Sequence, residues 1–170
     1  MPVFHFTLHA YRSWHEDDPR GYVQRGEEGI QPSNPNLAAY RDRLASQSEV
    51  RFSADQMILL LDAVRTTCER RNWIAHGATA TCTHVHAVIR WTQEQTAEQV
   101  QAGLKSGLGF CLSKEKGTTG NRWFSRGGAP ARVEDHAHLF HLLNDYLPKH
   151  ATDEGGLFRN YEDERKDAAL

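Results

Sequence analysis

Long apolar runs are missing from this 170-residue chain, and so is a strong excess of either charge: Lys plus Arg number 20, Asp plus Glu 22, and the formal net charge is -2. The first absence argues against a membrane-spanning helix. The alternating start MPVFHFTLHAY is likewise not the apolar block of a signal peptide. Cysteine is scarce too. Cys68, Cys82 and Cys111 lie far apart, match no zinc spacing and make an odd count, which argues against a disulfide framework. The composition is that of one soluble domain, long enough to bury a core without cross-links, with free thiols in a reducing cytoplasm. Repeats and low-complexity blocks are absent as well.

The near-neutral balance hides an uneven distribution. Residues 101–133 carry six cations (Lys105, Lys114, Lys116, Arg122, Arg126 and Arg132) against the single anion Glu115. Residues 151–170 carry six anions against three cations. A basic segment followed by an acidic stretch points to a surface for a polyanion.

VFHFTLHAY alternates, with Phe4, Phe6, Leu8 and Ala10 on one face and His5, Thr7, His9 and Tyr11 on the other, as a half-buried strand does. From Arg12 to Glu49 the pattern dissolves into a surface insertion with at most a short helix around Leu37 to Leu44. A capping box at Ser53 and Gln56, with Phe52 set to staple onto Met57, opens a helix to about Arg71. NWIAHGATA and HVHAVIRW read as two strands. A second capping box at Thr96 and Gln99 opens a helix that runs on despite three glycines. After a short strand at Arg122 to Ser125, the last helix is expected from about Glu134 to Tyr146, with Leu139, Leu142 or Leu143, and Tyr146 inward. This order predicts an α+β fold, a ferredoxin-like antiparallel sheet covered by helices. Residues 1–150 form the domain, with the insertion at about 12–50, and 151–170 are expected to be a peripheral or disordered acidic tail.

TCTHVHAVIRW carries the chemistry. Alternation sends His84 and His86 to one face and Val85, Ala87, Ile89 and Trp91 to the other, which is half of a metal site. In HLLNDYLPKH, Tyr146 and His150 are spaced i, i+4, so a persisting helix brings a nucleophile and a ligand toward one point, although Pro148 disfavours helix there. A tyrosine with a pKa of about 10 is a poor nucleophile toward a phosphodiester unless a cation neutralises the non-bridging oxygens. Other groupings stay open: His138, His141 and Asp145 as a separate site or a solvated face, and His5 and His9 as lining beside the pair. Tyr11, Tyr22, Tyr40 and Tyr161 read as packing or surface residues.

With HVH as His-hydrophobic-His, DDPRGYV in the insertion and a late helical tyrosine, residues 3–150 resemble the HUH single-strand DNA endonucleases, most closely the REP-associated tyrosine transposases. The resemblance implies a metal-dependent strand transferase in which Tyr146 forms a 5'-phosphotyrosine link. His84, His86 and His150 would hold Mg or Mn, with His150 standing where the family has Asn or Gln. It further implies single-stranded or hairpin DNA as partner, no membrane, a homodimer, and a cytoplasmic, nucleoid-associated setting. Lys105, Lys114, Lys116, Arg122, Arg126 and Arg132 are the expected phosphate contacts, and Trp123 either stacks a base or plugs the core. The alternatives are a non-catalytic nucleic-acid-binding module and a plasmid-type replication initiator.

Overall fold

The computed structural model describes residues 2–19, 21, 22, 27 and 29–162. Alternation in Val3–His9 forms β1, whose Phe6 and Leu8 are fully buried. Each such side chain contributes about 1.5–3 kcal/mol by leaving water. The insertion holds helix α1, Pro35–Leu44, capped by Asn34. Both capping boxes form, opening α2 (Ala54–Arg70) and α3 (Ala97–Lys116). Strands β2 (Ile74–Ala80) and β3 (His84–Arg90) form the hairpin between them, with a bulge between Ala75 and Gly77.

Two further strands complete an antiparallel sheet of order β4-β1-β3-β2-β5: β4, Ala131–Arg132, and β5, Leu157–Asn160. Strands β1 to β4 have the ferredoxin-like order, and β5 extends the far edge. Phe6, Leu8, Val85, Ala87 and Ile89 meet α2 and α3 on one face. The glycines of α3 have a packing reason. A Cβ on Gly107 would stand 2.4 Å from Thr67 of α2, and one on Gly103 2.7 Å from Trp73, so their cost in helix propensity is offset by close approach. Cys111 is only partly buried, and Leu112 takes the core position.

Two expectations are corrected. The last helix does not stop at Tyr146. Helix α4 (His136–His141) passes through a π-helical turn at Leu142–Tyr146 into α5, Leu147–Asp153. The Leu147 N–H donates to the carbonyl of Leu142, five residues back, and this wider turn lets Pro148 follow where an α-helical carbonyl would meet its ring. The extra residue also shifts the inner face. Leu147 is fully buried where Tyr146 was expected, and Tyr146 is 37% exposed. This helical run covers the second sheet face, with Leu142, Leu143 and Leu147 packed on Val88 and Val133.

The second correction concerns residues 151–162, expected to be peripheral. Helix α5 extends to Asp153, β5 pairs with β2, and Tyr161 is buried with its hydroxyl donating to the Leu61 carbonyl at 2.7 Å. Residues 163–170 lie outside the described chain. The short Arg122–Ser125 strand is reduced to one bridge, between Ala10 and Phe124. If Tyr161 is a core residue, Tyr161→Ala should cost about 3–5 kcal/mol of unfolding free energy, as aromatic truncations in cores do. Urea denaturation checks this; a peripheral tail would leave the midpoint unmoved.

Candidate functional site

Strand register brings the histidines together. Thr7 pairs with His86 and His9 with His84, so β1 adds His5, Thr7 and His9 to the face that carries the HVH pair. The helical run crosses this face, pinned where the Thr79 hydroxyl donates to the Leu147 carbonyl at 3.0 Å. His150 then lies with its Nε2 2.6 Å from Nε2 of His84. The Tyr146 ring stacks on His150 at 5.7 Å and 9°, and stands edge-on to His5 at 5.6 Å and His86 at 5.7 Å. Pro148 thus does not separate Tyr146 from His150.

The ring nitrogens are sorted by their partners. Thr81 Oγ1 accepts from the N–H groups of Thr83 and His84 at 3.3 and 3.2 Å, and its own hydroxyl faces the His84 carbonyl. Nδ1 of His84 stands 3.1 Å from Thr81 Oγ1 and 2.9 Å from Thr83 Oγ1, contacts that hold the ring with Nε2 turned to the site. Nδ1 of His86 is likewise engaged, by His5 Nε2 at 2.9 Å and Thr7 Oγ1 at 3.1 Å. Partners on the far nitrogen are what orients a metal-ligating imidazole.

Burial, followed by the neighbouring imidazoles of His5, His84, His150 and His9, pushes the pKa of His86 down from 6.5 to about 2. His5 is lowered to about 4, by burial first and then by His138 and His150. Burial raises Tyr146, so its phenol is protonated at neutral pH.

One ligand atom from each of His84, His86 and His150 lies within 4.8 Å of the others. Two imidazole nitrogens at the His84–His150 separation need a proton or a cation between them. Three imidazoles converging in this way fit a divalent cation, and an all-imidazole set suits Mn better than Mg.

The other sequence candidates disperse. His138 and His141 take up local helix contacts, His138 with the Glu134 N–H and His141 with Asp145. Tyr22 and Tyr161 are buried, and Tyr40 is exposed on α1. Lys105 ties down a loop, donating to the carbonyls of Ser125 at 2.8 Å and Gly127 at 2.5 Å, and burial lowers its pKa. Trp123 is the plug of the two readings, buried with its indole donating to Ser113 Oγ at 2.7 Å. Lys114 and Arg126, with Trp123 and Phe124 between, line an open cavity of about 1060 Å³ between α3 and residues 117–128. Helix α3 packs on the face opposite the histidines. Lys116, Arg122 and Arg132 are exposed, with Lys116 Nζ 5.7 Å from the Trp123 ring.

From the sequence His5 reads only as lining, and Thr7, Thr81 and Thr83 have no assigned part. The signal is present nonetheless: Thr81 and Thr83 stand in the turn just before His84, and Thr7 stands between His5 and His9. Assigning them requires the β1–β3 register.

No family model and no curated protein matches the chain. It is similar to a solved structure of a REP-associated tyrosine transposase bound to a REP hairpin, at 10% identity and a TM-score of 0.47, over 91% of this chain and 68% of that chain. Among the described residues no helix is long and apolar enough to cross a membrane.

Both lowered histidines make stability depend on pH. Their folded pKa values lie below the unfolded 6.5, so their contribution is complete above pH 6.5 and is lost as pH falls. Between pH 7 and pH 5 the loss is about 2 kcal/mol for each, measured by urea denaturation in chelator. Mn should raise the thermal midpoint at pH 7.5 in the parent chain and not in the His84→Ala, His86→Ala double variant.

Proposed function

We propose that this chain is a metal-dependent single-strand DNA endonuclease and strand transferase. The observation that carries this reading is the tyrosine ring seated on His150 and against His86, in the cluster of three imidazoles able to hold a cation. The HUH-like arrangement of motifs supports it.

The Tyr146 oxygen attacks the phosphorus of a phosphodiester. Its bond to phosphorus forms as the P–O3' bond breaks, leaving a 5'-phosphotyrosine and a 3'-oxygen that takes up a proton to become a hydroxyl. His84, His86 and His150 would hold a divalent cation, which would supply positive charge for the non-bridging oxygens and ease loss of the phenol proton. Thr81, Thr83, Thr7 and His5 keep the ligand rings oriented. Because the covalent link conserves the phosphodiester bond, attack by another 3'-hydroxyl reverses the step and joins strands without a nucleotide cofactor. Lys114, Lys116, Arg122, Arg126 and Arg132 supply phosphate contacts that position the strand without reading its sequence.

Tyr146→Phe should abolish both nicking and the denaturant-resistant protein–DNA band, with Mn at least as effective as Mg in the parent chain. Single-strand affinity should stay near the parent value, and Tyr11→Phe should keep the band. A band persisting in Tyr146→Phe would move the nucleophile to another residue. In a separate measurement, Lys114→Ala with Lys116→Ala should reduce the log-log salt slope of single-strand binding by about 1.4, at roughly 0.7 for each phosphate no longer neutralised.

A further inference from the structure

Of the four tryptophans, Trp73, Trp91 and Trp123 are core residues, 4%, 2% and 6% exposed. Trp14 is 38% exposed and belongs to neither core cluster. An indole with more than a third of its surface in water forgoes part of what its size contributes to a fold. Yet this one is fastened. Its Nε1 donates to the Gly21 carbonyl at 2.8 Å, and its ring meets that of His9 edge to face at 4.9 Å and 77°. His9 in turn lies 5.6 Å from His84. The exposed indole is therefore one imidazole removed from a candidate metal ligand.

The turn that carries Trp14 hangs on the same residue that orients His84. After β1 the chain reverses through Arg12 in the left-handed region, at φ 60°, a conformation that costs about 1 kcal/mol or more in a residue with a Cβ. The Ser13 hydroxyl donates to the Thr83 carbonyl at 2.9 Å, and the Ala10 N–H donates to it at 2.8 Å. Thr83 Oγ1 is the atom 2.9 Å from Nδ1 of His84. Trp14 and the metal ligand are thus fixed to one another through a single residue.

We propose that Trp14 is the stacking platform for one unpaired nucleobase beside the scissile phosphate, an inference that rests on the cleavage reading above. A phosphodiester at the imidazole cluster carries its flanking bases within reach of this ring. An aromatic face accepts any base, because every base has a π face. Among the described residues Arg12 is paired with Asp42 and Arg41 with Glu16, and a substitution of Trp14 removes an aromatic face without changing the charge. Trp123 cannot serve, since its ring is buried under the loop.

The test measures binding alone, in Mn, so it does not depend on nicking. The probes are fluorescein-labelled oligo-dT of about 10 nucleotides, a length within the usual site sizes, and its fully abasic counterpart. The parent chain should prefer oligo-dT, and Trp14→Ala should reduce that preference roughly tenfold, within the range of one stacked base. Trp14→Phe, which keeps an aromatic face and guards against misfolding, should retain most of it. The salt slope should be the same in all three proteins, unlike that of the Lys114, Lys116 double variant. An unchanged preference in Trp14→Ala overturns the platform. So does a loss of Mn-induced thermal stabilisation matching the loss of binding, which would make Trp14 a prop for His84 through His9. A reduced preference in Trp14→Ala, alongside a parent chain that never nicks DNA, would sink the cleavage reading and uphold the platform.

Discussion

The pairing register of β1 on β3 is the constraint on which everything else depends. Side chains alternate with a period of two, so a slip of one residue would turn His84 and His86 into the core and Val85, Ala87 and Ile89 out of it. The hydrophobic effect therefore holds the histidines in place indirectly. Burying Phe6 and Leu8 opposite Val85, Ala87 and Ile89 sets the register, and the register brings Thr7 to His86 and His9 to His84. The geometry of the imidazoles is inherited from the packing on the other side of the sheet.

What could be read in advance follows from how local each signal is. The two capping boxes, the alternation in VFHFTLHAY and the HVH face are encoded within a few residues, and all stand in the structure. So is the basic segment, but its uses are not. Lys105 and Trp123 carry the right chemistry for DNA and are drawn inward by loop carbonyls and Ser113, contacts between residues 10 to 22 positions apart. The strand LFRN escapes notice because it is four residues long, sits in an acidic stretch and lies at a sheet edge. Its pairing partner, β2, is about 80 residues away, and no local pattern announces such a pairing.

The charge distribution has a spatial meaning that the linear count lacks. The cations of α3 and the following loop flank a cavity on one side of the sheet, while the imidazole cluster lies on the other. A single strand that used both would have to pass around a sheet edge. Strand β4 at that edge is two residues long and bears Arg132. Grip and chemistry would then be separable properties, set by different residues on different faces.

The π turn at Leu142–Tyr146 bears on how such a centre tolerates change in chain length. A π turn is an α-helix with one residue too many, and one residue is worth about 100° of rotation around the axis. Here that surplus divides one helical run into two phases. Leu142 and Leu143 face the sheet at its start, and Leu147 faces the sheet just past its end, leaving Tyr146 on the flank beside His150. Loss of a single residue anywhere between Leu142 and Tyr146 would restore a regular α-helix with better hydrogen bonds. It would also rotate everything downstream, so that Leu147 and His150 could not keep their present directions while the preceding residues kept theirs. The less regular helix is the one that lets the apolar seam and the imidazole occupy their places together.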